Sequence, residues 1–287
     1  MPIIEVKNLT KKYGDNIAIK DVTFSLAKGE ILGFLGVNGA GKTTTMNIIV
    51  GYTLATSGRV TIEKGANIGY LPEQPPLYLD MTVNEYLKFV FNLKKVKLNR
   101  DEHLEEIYKE LKLGEVRGRL IKNLSKGYRQ RVGVAQALIG NPEILILDEP
   151  TVGLDPIQII EIRDLIKNLA KQRTVILSSH IMQEIESLAT RVIIINSGKI
   201  IADGKLGDIE QKGENLEAAF LRLVMNEKNV IEEIVVEEEV IVAAPAEKPK
   251  KPTLKQKNAP PKSPVKKDKK EKTVTKTKET KSKEGKK

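Results

Sequence analysis

An α/β fold with a largely parallel core sheet is what the sequence predicts, on three observations. Short β-branched runs alternate with helical patterns through residues 1–226. Several of these runs are apolar on both faces, as strands covered from both sides must be. One of them, Ile31–Leu35, leads directly into a glycine-rich turn that opens a helix.

The elements follow in order. Met1–Val6 has no basic segment followed by an apolar one, so it reads as a first strand rather than a secretion signal. Val22–Leu26 and Ile31–Leu35 are strand-like, and Lys42–Val50 is a helix stopped by Gly51. Helices follow at Val83–Leu93, Glu102–Leu113 and Gly127–Ile139, the first opened by a Thr82/Glu85 capping box and the last closed by Gly140. Ile144–Leu147 is a strand. Asp155 caps a helix over Pro156–Lys171, with Pro156 at its first position. Thr174–Leu177 and Val192–Ile195 are strands flanking a helix at Ile181–Ala189. Because residues 82–120 hold only helical patterns, a helical insertion over about 82–140 is expected within the domain.

Composition sets further limits. The 287 residues include no cysteine, which excludes disulfides, thiolate metal sites and a cysteine nucleophile. The formal charge of +10 is unevenly spread: residues 245–287 hold 17 Lys against 5 Asp or Glu, leaving residues 1–244 at −2. The basic character therefore says nothing about the surface of the domain. Residues 227–244 read as an acidic and apolar linker. The Lys- and Pro-rich stretch 245–287 has too few apolar residues to offset ordering entropy, so disorder is expected there. Its lysines suit an anionic lipid surface or an acidic partner. No run approaches the roughly 20 apolar residues of a membrane span.

Gly36-Val37-Asn38-Gly39-Ala40-Gly41-Lys42-Thr43 matches the phosphate-binding pattern G-x-x-x-x-G-K-[ST], with Thr44 following. Glycines let the backbone close on a phosphate, and successive N–H groups and the helix N-terminus face the anion. Lys42 suits the β- and γ-phosphates of ATP, and the Thr43 hydroxyl suits Mg²⁺. Ile144–Leu147 ends in Asp148-Glu149, which places one carboxylate for the metal and one for the attacking water.

Leu124-Ser125-Lys126-Gly127-Tyr128-Arg129-Gln130-Arg131, shortly before that strand, resembles the signature of the ATP-binding cassette (ABC) ATPases. Other marks stand in the family's order. Tyr13 resembles the adenine-stacking aromatic, Gln74 the Q-loop glutamine, Gly153-Leu154-Asp155 the D-loop, and His180 the switch histidine. The resemblance covers residues 2–226. It implies a P-loop NTPase cassette with a mixed, largely parallel core sheet, an antiparallel β edge and a helical insertion. It also implies ATP and Mg²⁺ as ligands. Glu149 is then the catalytic base, supported by His180, Gln74 and Asp155. Tyr13, Gly36, Asn38, Gly39, Ala40, Gly41, Lys42, Thr43 and Thr44 hold the nucleotide, and Thr43, Gln74 and Asp148 serve the metal. Ser125, Lys126 and Gly127 meet the ATP of a second subunit, because cassettes of this family pair head to tail. A homodimer, or a dimer with a related cassette, is implied.

By the same resemblance the chain is the energising subunit of an exporter, peripheral on the cytoplasmic face of the membrane and working through a separate integral permease. The alternative is a soluble ABC ATPase acting on nucleic acid or in complex assembly. Genome-maintenance members insert long coiled coils between P-loop and signature, whereas 80 residues separate Thr43 from Leu124 here, so nucleic acid is an unlikely partner. Three departures from the family pattern stand out: Val37 in place of a common proline, Lys126 in place of a common glycine, and the short segment Glu63–Asn67. The last puts the antiparallel edge in question.

Overall fold

In the computed structural model, residues 2–227 are described; the linker and Lys-rich segment expected beyond them lie outside the described residues. Among the described residues nine strands form two sheets. β1 (Ile4–Tyr13), β2 (Asn16–Leu26) and β4 (Ser57–Ile62) make an antiparallel sheet in the order β2-β1-β4. β5 (Ile68–Leu71), β6 (Ile144–Asp148), β7 (Thr174–Ser179), β3 (Ile31–Leu35), β8 (Arg191–Asn196) and β9 (Lys199–Gly204) make the other, in that order. Its first five strands are parallel and β9 is antiparallel to β8. The short segment after Ile62 does not remove the antiparallel edge. Ala66 N–H closes a turn on the Glu63 carbonyl at 3.0 Å, and the chain passes straight from one sheet into the other.

Period-two alternation within continuous apolar strands explains the layering. Ile144, Ile146, Ile176, Ile193 and Ile195 point to one face, where they pack with Ile4, Val6 and Leu9 of the antiparallel sheet and Met46 and Ile49 of α1 (Lys42–Ile49). Leu145, Leu147, Val175, Leu177, Val192 and Ile194 point to the other. There they meet α4 (Lys126–Leu138), α5 (Pro156–Ala170), α6 (Met182–Leu188) and residues 216–220 of the helix over 216–227.

Between β5 and β6 every regular element is helical, α2 (Val83–Leu93), α3 (Arg100–Glu110) and α4 among them, with one isolated bridge between Thr82 and Leu120. Both sides of the Thr82/Glu85 capping box form, and Asp155 caps α5 with Pro156 in its first turn. Gly51 and Gly140 both take left-handed φ after the helices they close. Lys94 donates to the carbonyls of Gln136 and Ile139 at the end of α4, and burial lowers its pKa to about 8. Several bounds differ from the sequence reading. β2 begins at Asn16 rather than Val22, and α3 covers Arg100–Glu110 rather than Glu102–Leu113.

His103 on α3 gives the helical segment a pH response. Its ring is buried, and Nε2 accepts the Gly140 N–H at 3.1 Å, which requires a neutral ring. Burial lowers its pKa from 6.5, reinforced by the Arg173 and Lys94 charges and opposed by Glu106 and Glu110. A depressed histidine pKa means that the unfolded chain binds the proton first. Its contribution to stability is therefore complete above about pH 6.5 and lost as pH falls through the folded-state value. The urea midpoint is expected to drop between about pH 7 and pH 5, and His103→Gln, which retains an acceptor, to flatten part of that slope. Equal slopes for both proteins would remove His103 as the source.

Candidate functional site

β3 ends between β7 and β8, and the chain turns there into α1. The turn depends on glycine at two places. A Cβ on Gly36 would stand 2.4 Å from the Ile195 carbonyl oxygen, and Gly41 holds φ 110° with its Cβ position 2.9 Å from the Ala18 carbonyl oxygen. The loop is thereby pinned between β8 and β2. Lys42, 5% exposed, folds back so that Nζ donates to Gly36 O at 2.7 Å and Val37 O at 3.3 Å. Its ammonium also lies 3.2 Å from Glu149 Oε1.

The parallel register of β6 and β7 pairs Asp148 with Ser178. Beyond that pair each strand releases one functional side chain, Glu149 and His180, and these meet at 2.8 Å between Oε2 and Nδ1. Glu149 has a left-handed backbone (φ 49°), costly for a residue with a Cβ, and its N–H is held by Ser178 Oγ at 2.9 Å. Ser178 Oγ–H donates to Asp148 Oδ1. Tyr70 O–H reaches Asn47 Oδ1 at 3.1 Å and Asp148 Oδ2 at 3.5 Å. Burial, and then the Asp148 charge, push the Tyr70 phenol upward, so it stays a neutral donor.

Asn38, Gly39, Gly41, Lys42, Thr43 and Thr44 line a cavity of about 460 Å³ with Glu149 and His180. Ala18, Glu73 and Val152 complete it. Gln74 faces a neighbouring groove instead, with Lys126 and Arg129, which adjoins the cavity through Glu73 and Val152. Tyr13 lies half exposed at the end of β1 under the Lys11 ammonium, outside the cavity lining. Asp155 spends one carboxylate oxygen on the Gln158 N–H at the start of α5. Ser125 and Gly127 line a separate cavity of about 520 Å³ with Gln158 and Arg131. The two cavities share no lining residue. Lys126 Nζ occupies the space beside Gly153 where a side chain at 153 would begin.

These residues suit a bound polyphosphate and a hard divalent cation. Lys42 has only loop carbonyls and Glu149 for company, and phosphate oxygens are better partners for an ammonium. Glu149 Oε1 is buried without a hydrogen-bond donor. The Thr43 hydroxyl and the Asp148 carboxylate are oxygen donors of the kind Mg²⁺ prefers; Thr43 lines the cavity, and Asp148 lies behind it on Ser178 and Tyr70. No group of three acidic or histidine side chains placed to hold a metal ion occurs among the described residues, so such an ion would need phosphate and water for its other ligands.

Comparisons with known proteins agree with this geometry. Residues 19–152 match the model of the ABC transporter family. The uncharacterised ABC transporter ATP-binding protein MJ1023 of Methanocaldococcus jannaschii is 40% identical over 245 residues, covering 84% of this chain and 90% of that protein. The bacitracin transport ATP-binding protein BcrA of Bacillus licheniformis is 36% identical over 239 residues, covering 79% of this chain and 76% of that one. Among solved structures, the dimeric structure of the bacterial ABC transporter cassette MJ0796 matches with TM-score 0.65 and 28% identity, over 71% of this chain and 98% of that one.

Proposed function

The chain belongs to the ABC transporter ATP-binding proteins, and on that premise we propose that it drives export through a separate membrane subunit by ATP-dependent closure of a cassette dimer. Its enzymatic activity is ATP hydrolysis coupled to transport. No helix among the described residues is long and apolar enough to cross a membrane; in the proposed assembly another polypeptide supplies the path and this chain sits on its cytoplasmic face. The bacitracin transport relative supports the export reading.

The observation that carries the dimer is the separation of the Ser125 cavity from the Lys42 cavity within one chain. In the proposed assembly Ser125, Lys126 and Gly127 of each subunit complete the nucleotide site of the other. Lys42, Asn38 and the loop N–H groups bind the phosphates, and Tyr13 stacks on the adenine. Thr43, Asp148 and Gln74 are the residues that would hold Mg²⁺, which when bound would neutralise charge on the phosphates. Glu149 takes a proton from the attacking water at Oε1, the oxygen lacking a donor, while Oε2 stays on His180 Nδ1. Asp155 supports the dimer contact.

Mixing two inactive variants tests this arrangement. Lys42→Ala and Ser125→Arg should each abolish turnover. Random pairing of the two makes half of the dimers mixed, each with one intact composite site. ATPase activity should therefore return to about a quarter of the wild-type value. A mixture as inactive as its parents would reject the composite site.

A further inference from the structure

We propose that Glu184 is a positioning residue that clamps the Glu149 loop to the His180 loop. The inference rests on Glu149 and His180 acting as proposed above. Glu184 lies in the first turn of α6, outside the nucleotide cavity, and is 1% exposed. Burying a carboxylate is costly unless donors surround it. Among the described residues no Lys, Arg or His forms an ion pair with it. Its two oxygens are taken instead by two hydroxyls, one from the turn after β6 and one from the last residue of β7. Thr151 Oγ1 donates to Oε1, and Ser179 Oγ donates to Oε2 at 2.8 Å. Ser179 Oγ in turn accepts the Ile181 N–H at 3.0 Å.

The placement of those hydroxyls gives the carboxylate its role. Thr151 follows Glu149 by two residues, and Ser179 immediately precedes His180. Both are buried, and each donates its hydroxyl hydrogen to Glu184. The backbone of Glu149 is strained, so it needs outside contacts to hold its φ of 49°. Ser178 fixes it on the strand side, and the Thr151–Glu184–Ser179 bridge fixes the outgoing chain to the loop that presents His180. A pure packing role would be filled better by an apolar residue, since a buried charge adds little net stability. Each carboxylate oxygen accepts one of the two hydroxyls. A glutamine there offers one acceptor oxygen and one donor group, so one hydroxyl must turn round to accept and its tie is rearranged.

Steady-state ATPase assays and nucleotide binding on the purified full chain test the role. Glu184→Gln should lower kcat about tenfold or more, with KM and nucleotide affinity within about twofold of wild type. Thr151→Val and Ser179→Ala should each lower kcat in the wild-type background, and neither should lower it further beside Glu184→Gln. Unchanged kcat in Glu184→Gln, parallel changes in kcat and KM, or undiminished hydroxyl effects in that background would each overturn the proposal. If Glu184→Gln does not fold, the pair Thr151→Val and Ser179→Ala carries the test alone. The double variant should be no worse than the poorer single one, whereas multiplied losses overturn the bridge. Glu149→Gln separates the two levels. Wild-type turnover in that variant removes the underlying site reading, while an inactive Glu149→Gln beside a fully active Glu184→Gln rejects the clamp alone.

Discussion

Glu149→Gln is expected to lower ATP turnover at least a hundredfold while leaving ATP bound and the dimer closed. The expectation comes from what surrounds the carboxylate. Oε1 lies 3.2 Å from Lys42 Nζ and Oε2 lies 2.8 Å from His180 Nδ1. A glutamine fits the same space in one orientation. Its oxygen faces the ammonium, and its NH₂ faces Nδ1, which accepts when the imidazole carries its proton on Nε2. The site therefore keeps its shape and its phosphate contacts but loses the proposed acceptor of the water proton. With the terminal phosphate retained, each nucleotide keeps its donors from both subunits. Light scattering in saturating ATP–Mg²⁺ should register the doubled mass, and single-turnover assays the missing hydrolysis. A monomer under those conditions would contradict the shared-nucleotide dimer. Wild-type turnover would contradict the role of Glu149.

The fold and the phosphate loop were legible because their causes are local. A glycine that must avoid the Ile195 carbonyl, or must adopt φ 110°, leaves its trace in the sequence itself. So do continuous apolar strands such as Ile144–Leu147, which must satisfy two packing faces at once. The strands that escaped notice are those with weak patterns. β4 has no buried position and is mostly exposed, β9 is largely intermediate in burial, and β5 has four residues. The N-terminal half of β2 contributes Ala18 to the cavity lining, yet Asn16–Ile19 is too short and mixed a run to announce a strand.

At the site, long-range partners were the part that sequence order hides. Tyr70 and Ser178 reach Asp148 only because β5, β6 and β7 lie side by side in register. Glu73, rather than Gln74, lines the phosphate cavity because the irregular segment after β5 has no period from which to read orientation. The Thr151 and Ser179 hydroxyls lie beside motif residues, but the carboxylate that joins them comes from the next helix.

Lys42→Ala is expected to abolish tight ATP binding, and its second effect, on the protein without nucleotide, is the more informative. On the proposed reading, removing the ammonium takes away the principal cation for the phosphates, and turnover should fall at least a hundredfold. It also removes the charge opposite Glu149 Oε1, an oxygen with no hydrogen-bond donor of its own. Both side chains are about 95% buried, so solvent cannot easily replace the lost partner. His180 still satisfies the other oxygen, which limits the cost to about 1–3 kcal/mol rather than the full penalty of an isolated buried charge. At this chain length each kcal/mol corresponds to about 2–4 °C in melting temperature. The penalty belongs to the stranded carboxylate and should therefore shrink when Glu149 is neutral. Lys42→Ala in a Glu149→Gln background should cost less stability than in the wild type, by a coupling measurable in thermal melts. Equal costs in the two backgrounds would mean that Lys42 is held by its loop carbonyls alone. The ion pair with Glu149 would then lose its place in the energetics of the nucleotide-free site.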